Sequence, residues 1–119
     1  MKRNNVLQQK SFDFAVRIVN LCRYLNEEKK EYILTKQLLR AGTSIGANVE
    51  EAIGGQSEKD FFAKLTIAYK EARETHYWVR LLTATHYLTN SEGQSLLDDT
   101  DELLRIIGSI QKTIKTRNS

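Results

Sequence analysis

Proline is absent from the 119-residue sequence. Proline breaks helix interiors by removing an amide donor and clashing with the preceding turn, so long uninterrupted helices are permitted throughout. The single cysteine, Cys22, has no partner, which excludes an intramolecular disulfide framework. No segment approaches the roughly 20 apolar residues of a membrane span. The opening MKRNNVLQQKSFDF is basic but lacks an apolar stretch of signal-peptide length. A cytoplasmic chain without membrane attachment is expected.

The motifs of catalysis and cofactor binding are also missing. The two histidines, His76 and His86, are ten residues apart. On one helix that is about 15 Å along the axis, too far to share a zinc ion. There is no H-E-x-x-H, no paired CxxC and no E-x-x-H of the di-iron bundles. No serine sits in a G-x-S-x-G setting, and no glycine loop is followed by G-K-[ST]. Neither a metal, a cofactor nor a catalytic residue is expected, and the chain reads as a binding or assembly module rather than an enzyme.

What the sequence does hold is apolar residues at helical spacing. Hydrophobic residues make up 40% and charged residues 28%, enough for a core and a solvated surface in one domain spanning residues 1–119. Four segments follow the 3.6-residue period. The first runs from about Ser11 to Asn26 on Phe14, Ile18, Leu21, Cys22 and Leu25, with Val6 and Leu7 allowing an earlier start. The second runs from about Tyr32 to Ile53 on Leu34, Leu38, Ala41, Ile45, Val49 and Ala52. Gly54-Gly55 is expected to end it in left-handed geometry. The small residues of Thr43-Ser44-Ile45-Gly46 permit close approach of a neighbouring helix. The third is capped by Ser57 and carries a heptad seam: Phe61, Leu65, Ala68, Ala72, Thr75, Val79, Leu82 and His86. The fourth is expected to start at Ser91-Glu92-Gly93-Gln94, an S-x-x-Q capping box, and to bury Leu103, Ile107, Ile110 and Ile114. Short connections between helices of similar length predict an all-α fold, an antiparallel up-down-up-down four-helix bundle.

Polar residues also recur at helical spacing. Arg40, Ser44 and Asn48 share a strip of the second helix, with Glu51 beside it, and Glu71, Glu74 and Trp78 share a strip of the third. Polar groups near a core need partners, so Arg40 is expected to reach Glu71 or Glu74, and Asn48 a backbone group or Glu51. A network fixing helix register fits these residues, and so does a subunit interface or pocket. The third helix also carries Phe61, Phe62, Tyr69, Tyr77, Trp78 and, near its end, Tyr87. That is more apolar circumference than one bundle covers, which predicts self-association.

Charge is asymmetric at a net +3. Residues 1–48 hold nine basic and four acidic side chains, and residues 92–102 hold five acidic and no basic ones. A mixed solvated surface accounts for this. A polyanion-binding face is the sharper reading, with Lys2, Arg3, Lys10, Arg17 and Arg23 near the first helix and Lys112, Lys115 and Arg117 at the far end of the chain.

The runs LLRAGTSIGANVEEA (38–52), S-x-K-D-F-F-x-K-L (57–65) and IAYKEARETHYWVRLL (67–82) resemble the bacterial four-helix-bundle proteins named for intervening sequences in 23S rRNA genes. That family is related to the accessory variability determinant of diversity-generating retroelements. The resemblance implies a barrel-shaped homopentamer, and for the accessory determinants contact with nucleic acid and a reverse transcriptase. The motif falls on Arg40, Ser44, Asn48, Glu51, Phe61, Glu71, Glu74 and Trp78, none of them known as catalytic. Many members carry glycine where this chain has Ala52, and the accessory determinants are more basic than this chain. The expectation is a homo-oligomeric module, pentameric by resemblance, that binds RNA, DNA or a nucleoprotein partner. A protein–protein scaffold without nucleic acid is the alternative. Five copies would carry about +15 on one ring.

Overall fold

A computed structural model describes residues 2–118, with side chains from residue 6 onward. Four helices account for nearly all of it: α1 (Lys2–Lys29), α2 (Leu34–Ile53), α3 (Glu58–Ala84) and α4 (Asn90–Arg117). No strand occurs among the described residues. Helices of 27 and 28 residues are about 40 Å long at 1.5 Å per residue, which matches a body of 48 × 22 × 21 Å. Each helix packs on its neighbours in sequence, and α4 closes the ring against α1, while the backbones of the diagonal pairs do not come close. This is the square, antiparallel bundle that the short connections predict.

The predicted seams form the core. Phe14, Ile18, Cys22 and Leu25 of α1, Leu38, Ile45 and Val49 of α2, Leu65, Ala68, Ala72, Val79 and Leu82 of α3 and Leu103, Ile107, Ile110 and Ile114 of α4 join in one buried cluster, with Ala41 of α2 buried as well. The α1–α2 approach is closest where α2 has no side chain. A Cβ at Gly42 would stand 2.9 Å from both γ carbons of Ile18, and one at Gly46 would stand 3.2 Å from the carbonyl oxygen of Ser11. The contact between α1 and α4 is the thinnest of the four. It is bridged by charge, with Lys10 on Glu102 at 3.3 Å and Arg17 on Asp99 at 2.7 Å.

The helix ends depart from the sequence reading in three places. First, Gly54 ends α2 at φ −80° and ψ 0°, not in left-handed geometry. Its amide and that of Gly55 donate to the carbonyls of Glu50 and Ala52, so a tightened last turn satisfies the free carbonyls. Second, the left-handed residues are Lys30 (φ 54°) and His86 (φ 70°). His86 therefore does not continue the seam. It stops α3: the amide of Tyr87 donates to the Leu82 carbonyl and that of His86 to the Thr83 carbonyl, the paired bonds of a Schellman ending. Third, α4 is capped by Thr89, two residues before the expected Ser91. The Thr89 hydroxyl accepts from the Glu92 amide, and the Glu92 carboxylate accepts from the Thr89 amide. Leu88 is buried in the core, which fixes the entry point.

The start of α2 has no side-chain cap at Ile33. The carboxylate of Glu31 replaces it by accepting from the amides of Leu34 and Thr35, each at 3.0 Å. Ser57 caps α3 as expected, accepting from the Asp60 amide at 3.0 Å.

Candidate interaction surfaces

The polar strips of α2 and α3 face each other across the outer groove between those helices. Arg40 donates to Glu71 at 3.2 Å and also pairs with Glu74. Glu74 in turn accepts from the indole Nε1 of Trp78 at 2.9 Å. On α2, Ser44 donates to the Arg40 carbonyl and Asn48 to the Ser44 carbonyl at 2.8 Å. Glu51 leaves this group and pairs with Lys64 of α3 at 2.8 Å. The Arg40 side chain is half exposed, so solvent screens these pairs and each contributes a few tenths of a kcal/mol, up to about 1. The result is a surface ladder of ion pairs and hydrogen bonds that spans α2 and α3. None of the cavities described below is lined by Arg40, Glu71 or Glu74.

The eight cations expected on a polyanion face are dispersed. The side chains of Lys2 and Arg3 lie outside the described residues. Lys10 and Arg17 are engaged with α4, Arg17 also reaching Ser95 Oγ at 2.8 Å. Arg117 pairs with Glu58, and Lys115 lies 5.7 Å from the ring centre of Phe62. Arg23 and Lys112 are exposed, but Arg23 is near the end of α1, whereas Lys112 is near the end of the antiparallel α4. They stand at opposite ends of the bundle.

Most of the aromatic surplus of α3 is absorbed. Phe61, Phe62, Tyr69, Trp78 and Tyr87 pack against the core and are only partly exposed. Tyr77 is the exposed member at 49%. The largest apolar surplus is instead on α1. Phe12, Val16 and Val19 are 61%, 46% and 36% exposed and follow one another at steps of four and three. Phe12 and Ala15 line a groove of about 210 Å³ with Thr43 and Ala47 of α2, and Gln8 and Glu50 hydrogen-bond at its rim at 2.9 Å. Leu39 is exposed on α2, one turn from Thr43. The signal lay in SFDFAVRIVN, where apolar residues occupy two faces of the helix, one of them outside the core seam.

Three further cavities are open clefts. One of about 280 Å³ has an apolar floor of Ala52, Phe61, Ile110 and Ile114, with Glu58 and Arg117 at its edge. Another, of about 270 Å³, lies beneath the α1–α4 ion pairs. At the end of the bundle where α3 turns into α4, Tyr24, Lys29, His86 and Tyr87 border a third, of about 410 Å³. Among the described residues no group of three His, Cys, Asp or Glu is placed to hold a metal ion, and no helix is long and apolar enough to cross a membrane. Cys22 is buried beside the Thr35 carbonyl. Burial, and then the charge of Glu31, push its thiol up to about 11, so it is protonated and unreactive at neutral pH.

Comparison with known proteins places this architecture. No curated protein matches the chain. A crystal structure of a protein of unknown function from the S23 ribosomal protein family of Bacteroides thetaiotaomicron VPI-5482 superposes with a TM-score of 0.91 at 50% identity, covering 92% of this chain and 98% of that one. The model of the 23S rRNA-intervening sequence protein family matches residues 3–109. With nearly the whole length matched and the bundle shared, the chain belongs to the 23S rRNA-intervening sequence protein family.

Proposed function

We propose that the protein is a non-enzymatic assembly module whose copies dock through the outer face of α1 and α2. The observation that carries this is the stripe of Phe12, Val16 and Val19 beside the groove of Thr43 and Ala47. Burying a side chain such as Val or Phe contributes about 1.5–3 kcal/mol, so three of them with Leu39 offset much of the cost of association. A homo-oligomer is the simplest product, and the resemblance to ring-forming bundles supports five copies. The geometry supports docking between copies over binding of RNA or DNA through the eight cations, because Lys10, Arg17 and Arg117 spend their charge on Glu102, Asp99 and Glu58.

Light scattering coupled to size exclusion tests the proposal. The protein at tens of micromolar elutes as a multiple of 13.7 kDa, and the pair Phe12→Glu and Val19→Glu brings it to a single copy with helicity retained. Ile67→Glu, an exposed apolar residue on α3, leaves the assembly intact. A single-copy mass for the unaltered protein overturns the proposal.

A further inference from the structure

On α3 one strip of side chains points straight away from the core. Lys70, Arg73, Tyr77 and Arg80 alternate steps of three and four about half a turn from the buried seam, and all four are exposed. Three cations and a ring share about 15 Å of helix with no acid among them. The acids of α3 are committed elsewhere. Glu71 and Glu74 turn to Arg40 of α2, and Glu58 and Asp60 stay in the first turn. Asp101 of α4 meets His76 on the flank, 3.4 Å away. Among the described residues no carboxylate pairs with Lys70, Arg73 or Arg80.

Tyr77 is braced in the middle of this strip. Its ring stands edge-on to Trp78, centroids 5.0 Å apart at 74°. Trp78 is itself held by its bond to Glu74. The guanidinium of Arg80 lies 6.0 Å from the centre of the Tyr77 ring. A fixed, half-exposed ring beside cations that no carboxylate neutralises combines the two elements that recognise an unpaired strand: a platform for a base and point charges for the phosphates on either side. The geometry points to α3 as a binding strip for single-stranded nucleic acid, centred on Tyr77 with Lys70, Arg73 and Arg80 on the backbone. A lipid surface needs bulky apolar residues beside the cations, and this strip has none. A duplex would engage the cations but leave the ring idle. The strip is on a different helix from the α1–α2 docking face, so the inference stands or falls independently of self-assembly.

Fluorescence anisotropy of the full chain with labelled oligouridine and oligothymidine of about 12 nucleotides tests it. At low salt the protein binds, and the logarithm of the affinity falls with the logarithm of salt at a slope of about −2, as three released counterions require. Lys70→Gln, Arg73→Gln and Arg80→Gln together weaken binding at least about tenfold and flatten that slope. Tyr77→Ala weakens single-strand binding severalfold at an unchanged slope and removes the preference over a duplex of equal length. Lys29→Gln, Lys30→Gln and Lys36→Gln remove the same charge elsewhere and leave affinity within about twofold. Absence of binding at low salt overturns the inference. So does equal weakening by the two triple variants, which would mean net charge alone, or indifference to Tyr77→Ala. Circular dichroism confirms that each variant keeps its helices.

Discussion

Glu31 does the work of a cap from outside its helix, and this makes the bundle acid-sensitive at one known carboxylate. Burial alone would raise its pKa, but hydrogen bonds from the backbone amides of Leu34, Thr35 and Ile33 outweigh that and hold it below its usual 4.5. A depressed native pKa contributes stability that is present above the unfolded value and lost as pH falls through the native one. Urea unfolding is therefore expected to show stability declining below about pH 4.5, with Glu31→Gln less stable at pH 7 and flatter below it. His86 offers the opposite opportunity. It occupies a left-handed position where a side chain is strained, so His86→Gly is expected to gain about 1 kcal/mol, read as a raised urea midpoint at unchanged slope. Neither residue was legible from the sequence. Glycine usually marks the left-handed stop, and the sequence placed glycine at Gly54, where the chain does not use it. The capping box was missed by two residues because S-x-x-Q at Ser91 and T-x-x-E at Thr89 are equally good patterns. Only the burial of Leu88, a tertiary fact, separates them. The partnership of Arg40 with Glu71 and Glu74, by contrast, could be read directly, because polar strips stepped by three and four residues on two facing helices leave those side chains few other partners.

At the scale of whole helices, spacing carried most of the information. The seams of α3 and α4 were visible as heptads because their core residues are apolar and regularly stepped. The extent of α1 was underread: its first turns begin with KRNN, and polar residues give no periodic signal. Its second apolar face was missed because Phe12, Val16 and Val19 interleave with Phe14 and Ile18, so both stripes merge into one hydrophobic run. The outward strip of α3 was hidden for the opposite reason: solvent-facing charges normally carry no information, and only the diversion of Glu71 and Glu74 to Arg40 shows that this one is left uncompensated. The closeness of α1 and α2 gives a direct test. Gly42→Ala places a methyl group 2.9 Å from Ile18, so the helices must part or Ile18 must shift. A loss of about 1–3 kcal/mol is expected, measured by chemical denaturation, and Gly42→Ala combined with Ile18→Ala, which removes both γ carbons in the way, should cost less than the sum of the two single substitutions.

Across the molecule, the four seams are unequal. The core of α3 is shared between two generous neighbours, whereas α1 is packed tightly on α2 alone and meets α4 mainly through Lys10 and Arg17 over a cleft. Ion pairs of this exposure hold little against solvent, so the bundle behaves less like a closed barrel than like a book with one loose cover. Proteins open in cooperative units that follow such differences. Amide protons along α1 should exchange with deuterium sooner than those of α3. The gap should widen as salt is raised, since salt loosens the charged hinge but not the apolar spine.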